Sequence, residues 1–330
     1  MRKGLFEGAS PFIQLLMLIF TMLACLLFFM VIGILLAPPL LGISFAELMN
    51  SISGSVTEQN LNLMRYMQVL QGIGFFIIPA FVAAYLFSGN VIQYLNLGRI
   101  TPETRNPKPE TRNQKWFILT LLLIFAAMPC INLLAALNEM ISFPESLSGF
   151  EQWLRAFEES ARQLTESFLK VNNVGGMFFN IFMIAVLAAL GEELIFRGVL
   201  QKILVRWTGN VHAGIVISGF LFSLMHMQFY GFFPRWLLGV MFGYLLVWSG
   251  TMWLPIFAHF VHNAVAVILS YLIHKGIIPE SVEEFGSAVS DVPVTMLAVA
   301  ICVFLLWKMY RRRIFAYPEK QNESLAPNLR

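Results

Sequence analysis

Charge is what this 330-residue sequence has least of: Asp, Glu, Lys and Arg together make up 12% of it, against 58% hydrophobic residues. Soluble globular chains carry roughly 25% charged residues. Half that share cannot coat a water-facing surface, which excludes a soluble enzyme and a disordered chain. Neither sign dominates, the formal net charge being +3, and the basic residues fall in separate clusters rather than one stripe. That pattern predicts no nucleic-acid partner. Cysteine is scarce too: Cys25, Cys130 and Cys302 all lie inside apolar runs, giving no disulfide framework and no metal-type spacing. There is no His-Glu-x-x-His stretch. Internal repeats and paired interrupted helices are also missing, which weakens a secondary-transporter reading.

Long apolar runs are abundant instead. A bilayer-spanning helix needs about 20 mostly apolar residues. Such runs occur at 11–40, 67–88, 116–138, 174–191, 211–229, 236–250, 252–274 and 292–307. The expected fold is therefore all-α and polytopic, with about eight transmembrane helices. The first run is too long for a signal-peptide core and has no small-x-small cleavage site, so it reads as an anchor. Basic residues gather at Arg2 and Lys3, between spans 2 and 3, at Lys202 and Arg206, and at Lys308 to Arg313. The intervening connections are acidic or neutral. This alternation places both termini in the cytoplasm. Residues 99–115 read as a polar loop and the tail from Ala316 as loose. Residues 148–170 repeat Phe150, Trp153, Leu154, Phe157, Ala161, Leu164 and Phe168 at helical spacing, predicting an amphipathic helix on the outer membrane surface. A packing element between spans 3 and 4 is its simplest role, and a lid over a site the sharper one. The chain divides into 1–173 (three spans and this helix), a core over 174–275, and 276–330 (the last span and a basic tail).

Against that background a few polar residues are out of place. Span 4 ends in Gly191-Glu192-Glu193-Leu194-Ile195-Phe196-Arg197. An ionised side chain at mid-membrane costs about 2.5–3.5 kcal/mol on insertion scales, so such groups usually face a bundle interior or a wet cavity. Glu193 and Arg197 are four apart in the favourable acid-first order and can neutralise each other. Glu192 points about 100° away without a partner at helical spacing, which suits a general base. His226 lies near the end of span 5. His259 and Asn263 are four apart, on one face of span 7. His262 faces elsewhere as an interhelical hydrogen-bonding candidate, and His212 and His274 sit at span ends. With a helix continued to about Trp207 and a turn at Thr208-Gly209-Asn210, Glu192 and His226 are each 17 residues from Gly209 and so share a depth. A helix over 174–207 would be roughly 50 Å long, so it must tilt, kink near Gly191 or project beyond the bilayer.

These residues resemble the three motifs of the CPBP family (CAAX proteases and bacteriocin-processing enzymes, also called Abi), which includes the type II CAAX prenyl endopeptidases. Glu192, Glu193 and Arg197 match the first motif, Phe222 and His226 the second, and His259 and Asn263 the third. The resemblance covers about 174–275, spans 4 to 7. It implies an intramembrane endopeptidase acting on a membrane-associated peptide or protein within a bacterial inner or plasma membrane. By resemblance, Glu192 and His226 activate water, His259 and Asn263 form the oxyanion hole, and Glu193 and Arg197 hold the helix and tune the field. One divalent metal, zinc, is the cofactor to consider, with Glu192, His226 and His259 as candidate ligands; a metal-independent glutamate mechanism stands equally open. The alternatives are a non-catalytic membrane protein of bacteriocin-immunity type and a proton-coupled transporter.

Overall fold

The computed structural model describes residues 3–53, 57, 60–98 and 109–313, and no strand occurs among them. The helices are α1 (Pro11–Leu41), α2 (Phe45–Ser53), α3 (Leu61–Ser88), α4 (Val91–Tyr94), α5 (Pro109–Glu139), α6 (Ser148–Leu169), α7 (Val174–Thr208), α8 (Val211–Met225), α9 (Phe232–Ser249), α10 (Trp253–His274) and α11 (Val292–Arg311). Among the described residues, seven helices are long and apolar enough to cross a membrane: α1, α3, α5 from Gln114, α7, α9, α10 and α11. The protein is an all-α, multi-pass integral membrane protein. The polar loop expected over 99–115 lies outside the described residues as far as 108, and from Pro109 the chain is already helical. The tail from Ala316 also lies outside them.

The run at 211–229 departs from a full span. Helix α8 has 15 residues, about 22 Å at 1.5 Å per residue, short of the ~30 Å hydrocarbon layer. It stops because the chain turns back at once. Met227 takes a left-handed φ of 55°, and Ser223 Oγ donates to Phe232 O at 2.7 Å, closing the loop onto the start of α9. At its other end the hairpin with α7 forms at the expected residues. Gly209 has φ 63°, and the Asn210 side chain caps α8 by accepting from His212 N and Ala213 N at 2.8 and 3.1 Å.

Helix α7 is the centre of the bundle. It runs unbroken through the apolar stretch 174–191 and on to Thr208. Two π-helical stretches, Ile181–Leu187 and Leu194–Leu200, flank the two glutamates and Gly191, the expected kink position. Leu194, Ile195, Phe196, Val199 and Ile203 are all buried, packed on Ala80, Ala83 and Ala84 of α3, Leu18 of α1 and Phe222 of α8. Lipid is as apolar as leucine, so helices in a membrane gain mainly from close contact, and small residues permit it. A Cβ on Gly191 would lie 2.8 Å from Phe76 Cβ of α3. One on Gly239 of α9 would lie 2.9 Å from Gly219 Cα of α8. Glycine at these crossings is what lets three helices reach the glutamates.

Helix α6 forms as expected and is amphipathic. Its Leu154 and Phe168 are buried, and its charges pair along one face, Glu151 with Arg155 and Arg162 with both Glu159 and Glu166. Phe150, Trp153 and Phe157 stand exposed in a row, with ring centroids 6.0 Å apart at each step.

Candidate active site

Glu193 and Arg197 have no exposed side-chain surface at all, and Arg197 Nη1 donates to Glu193 Oε1 at 2.9 Å. The pair expected from the i, i+4 spacing is formed. Three aromatic rings surround the guanidinium, the nearest being Phe222, whose centroid is 4.4 Å from Arg197 Cζ. Arg197 also reaches across to α9, Nη2 donating to Gly239 O at 3.1 Å, and one turn on Gln201 Nε2 donates to Gly243 O at 3.4 Å. Residues four apart on α7 thus grip carbonyls four apart on α9. Space is tight there: a Cβ on Gly239 would stand 3.2 Å from Arg197 Nη2, and one on Gly243 would stand 2.7 Å from Gln201 Oε1 and 2.8 Å from Ile215 Cγ2.

Glu193 has a partner that spacing along α7 could not reveal. His259 Nδ1 lies 2.9 Å from Glu193 Oε1, the same oxygen that accepts from Arg197. An ionised carboxylate only accepts, so Nδ1 carries the proton and donates. The ring is stacked on Phe242 of α9, with centroids 5.2 Å apart and planes 22° apart. Its Nε2 then faces Glu192 Oε2 at 3.9 Å. This gap is too long for a hydrogen bond. Glu192 is the less buried glutamate, its side chain 14% exposed.

His226 caps the end of α8, where its Nδ1 lies 2.9 Å from Phe222 O. The Phe222 ring contacts both imidazoles, its centroid 5.1 Å from that of His226 and 5.9 Å from that of His259, at a steep angle to both. His226 is within electrostatic range of Glu192 and His259. Glu192 thus has the His259 imidazole at 3.9 Å and His226 at longer, electrostatic range. Asn263, one turn beyond His259, donates through Nδ2 to Ile184 O at 2.9 Å.

That last contact has a local cause. A π turn takes backbone carbonyls out of the regular i+4 ladder, and buried carbonyls need donors. Asn263 supplies one to the first π stretch of α7, and Ser218 of α8 supplies another to the second, Oγ donating to Phe196 O at 3.0 Å. The irregular turns that bracket Glu192 and Glu193 are pinned from two neighbouring helices.

His212 and His274 stay apart from these residues, while His262 is within electrostatic range of His259. His212 pairs with Tyr244 OH at 2.8 Å and His274 with Asn172 Oδ1 at 3.1 Å. His262 was a candidate for an interhelical hydrogen bond, but its Nδ1 is buried with no partner. The three-ligand zinc set of Glu192, His226 and His259 is not formed either: among the described residues no three His, Cys, Asp or Glu side chains are grouped to hold a metal. These residues as placed do not fit that ion.

Several site neighbours were missed from the sequence. Gly239, Gly243 and Gln201 act only through a helix crossing, and no periodicity along one helix marks such a crossing. Arg235 of α9, within electrostatic range of both Glu192 and His226, lies just before the apolar run at 236–250 and outside the three motifs. The signal that could have found it is its isolation: it is the one Asp, Glu, Lys or Arg between Trp207 and His274.

Residues 174–265 match the family model described as type II CAAX prenyl endopeptidase Rce1-like, so the resemblance carried by the three motifs holds for that stretch. It contains Glu192, Glu193, Arg197, His226, His259 and Asn263. Two proteins of Bacillus subtilis (strain 168) are similar over a comparable length. Sporulation-killing factor biosynthesis protein SkfC is 33% identical over 89 residues, 25% of this chain and 18% of SkfC. The uncharacterized protein YpbD is 30% identical over 93 residues, 26% of this chain and 43% of YpbD. The chain thus spans less than half the length of either relative. No solved structure matches it.

Proposed function

We propose that this chain is an intramembrane endopeptidase that hydrolyses a peptide bond of a membrane-embedded or membrane-anchored peptide or protein. One observation carries the reading: an acid from α7 faces an imidazole from α10, Glu192 Oε2 lying 3.9 Å from His259 Nε2, with the His226 imidazole at the end of α8 within electrostatic range. The family match at 174–265 supports it.

In this reading Glu192 is the base. A water placed between Glu192 and His226 attacks the carbonyl carbon of the scissile bond, and its proton passes to Glu192. His259 Nε2 and the second N–H of Asn263 donate to the oxygen that becomes negative. Donation from Nε2 requires a proton there in addition to the one at Nδ1. That form leaves Glu192, Glu193, Arg197 and His259 with no net charge as a set, the arrangement a low-dielectric site tolerates best. When the C–N bond breaks, Glu192 returns its proton to the departing amine. The products are a new carboxylate and a new amine.

Glu193 and Arg197 are positioning residues. They hold the His259 ring by one nitrogen so that the other faces the pocket. The test is cleavage of a pooled hydrophobic peptide library by the protein in proteoliposomes made up in H₂¹⁸O. Wild-type protein is expected to place one ¹⁸O in each new carboxyl group, and Glu192→Gln protein to yield no cut peptides. Equal cleavage by the two would overturn the reading.

A further inference from the structure

Arg235 is the one strong charge in a 68-residue stretch from Trp207 to His274, and it is costly where it stands. It occupies the first turn of α9, where the helix dipole disfavours a cation. Among the described residues no carboxylate lies within ion-pair distance of it. Its contacts are local, Nη1 donating to Gln228 O at 3.2 Å and Nη2 to Gln228 Oε1 at 2.7 Å. A guanidinium has five N–H donors in a planar fork, so this one keeps donors to spare.

The surroundings define what those donors face. The loop His226–Gly231 joins α8 to α9, and Gln228 lies two residues from His226. Glu192 of the pocket and Glu158 of α6 are within electrostatic range of the guanidinium without pairing to it. Glu158 is already engaged, its Oε2 accepting from Tyr230 N at 2.9 Å. The same loop is clamped against α6 by Tyr230 OH, which donates to Glu151 Oε1 at 3.2 Å. A partly buried cation beside the loop that begins at His226, held by Gln228 and paired with no carboxylate among the described residues, has donors free to take one.

We infer that Arg235 is a specificity-determining residue that binds a carboxylate of the peptide lying in the pocket. This inference rests on the endopeptidase reading, and names the chemistry its substrate must offer: a carboxylate held by a two-pronged guanidinium contact. That group can be the peptide's own C-terminus or an Asp or Glu side chain near the scissile bond.

The experiment separates those sources and does not depend on turnover. A pooled peptide library of random hydrophobic sequence is made twice, with free C-termini and with C-terminal amides, each containing Asp, Glu, Asn and Gln. Each pool is captured by detergent-solubilised Glu192→Gln protein, and by the same protein carrying Arg235→Gln, Arg235→Lys or Gln228→Ala, and read by mass spectrometry. Enrichment of free termini over amides by about tenfold, lost with Arg235→Gln, supports the C-terminus as the ligand. Enrichment of Asp and Glu over Asn and Gln at one position, lost in the same way, supports a side chain. Arg235→Lys keeps the charge without the fork and is expected to retain only part of the preference. Gln228→Ala removes the side-chain acceptor that holds Nη2 and is expected to weaken the preference without abolishing it. Capture with no preference for anions, or a preference that survives Arg235→Gln, overturns the proposal. Failure of wild-type protein to cut any peptide would sink the endopeptidase reading alone, because anion-selective capture is measured without cleavage.

Discussion

His259 Nδ1 and Glu193 Oε1 are 2.9 Å apart, and the same oxygen takes the Arg197 guanidinium at 2.9 Å. One carboxylate therefore fixes an imidazole on α10 and neutralises an arginine on its own helix, with no water exposure on Glu193 or Arg197. Removing one partner of such a pair strands a buried charge, at a cost of about 3–5 kcal/mol. Removing both costs less than the sum of the two losses. We expect Glu193→Gln and Arg197→Met each to lower the thermal unfolding temperature in detergent markedly, and the double variant to fall short of their sum. Additive losses would show that the pair is not coupled.

The glycine at 239 is the second point of leverage. An alanine there puts a methyl 2.9 Å from backbone on α8 and 3.2 Å from Arg197 Nη2. Overpacking of this kind costs roughly 1–3 kcal/mol. Gly239→Ala is expected to destabilise the fold and to reduce peptide cleavage, while Gly42→Ala, at an open helix end with φ 66°, is expected to lower stability through backbone strain and leave cleavage intact. Thermal melts paired with cleavage rates check this, and equal losses of cleavage from both substitutions would contradict it.

Asn263 gives a third prediction. Its amide satisfies Ile184 O in a π turn of α7, and an orphaned buried carbonyl costs about 1–3 kcal/mol. Asn263→Leu is expected to lower stability by that order and to increase hydrogen exchange around 181–187. Unchanged exchange there would show that the π turn does not depend on Asn263.

The docking of α6 supplies a pH test. Arg155 donates to Glu151 through Nε and Nη2 at 3.0 and 2.7 Å, which holds the Glu151 carboxyl below the ordinary glutamate range, with Phe143 N and Tyr230 OH adding to the effect. A depressed carboxylate contributes fully above its unfolded value, and the contribution fades as pH falls through the folded one. Amide exchange over 148–169, corrected for its intrinsic pH dependence, is expected to be constant from pH 7 to about 5 and to rise below about 4. Loosening already between pH 7 and 5 would point to another group.

Much of this architecture is legible in the chain because the membrane makes polar residues expensive. The apolar runs place the helices, and Glu192, Glu193, Arg197, His226, His259 and Asn263 stand out as exceptions to them. The Glu193–Arg197 pair is readable because both partners lie on one helix at fixed spacing. The His259–Glu193 contact is not, because it depends on how α10 crosses α7. Two π stretches likewise have no periodic signature, since their sequences are ordinary apolar runs. Helix α8 reads as longer than it is: residues 226–229 are uncharged, and only the left-handed Met227 ends the helix before them. Arg235 is not legible as a site neighbour either, because it lies at a helix start, where charges usually mark water.

The central claim is that Glu192, His226 and His259 act as one unit on one peptide bond, and residues acting as a unit are grossly non-additive when removed. The decisive measurement is kcat/KM for a single cleaved peptide in proteoliposomes, with wild-type protein, Glu192→Gln, His226→Ala, His259→Ala and the triple variant. The account predicts that Glu192→Gln alone loses nearly as much activity as the triple variant, with folding and insertion intact. A Glu192→Gln protein that cuts at the wild-type rate would contradict it.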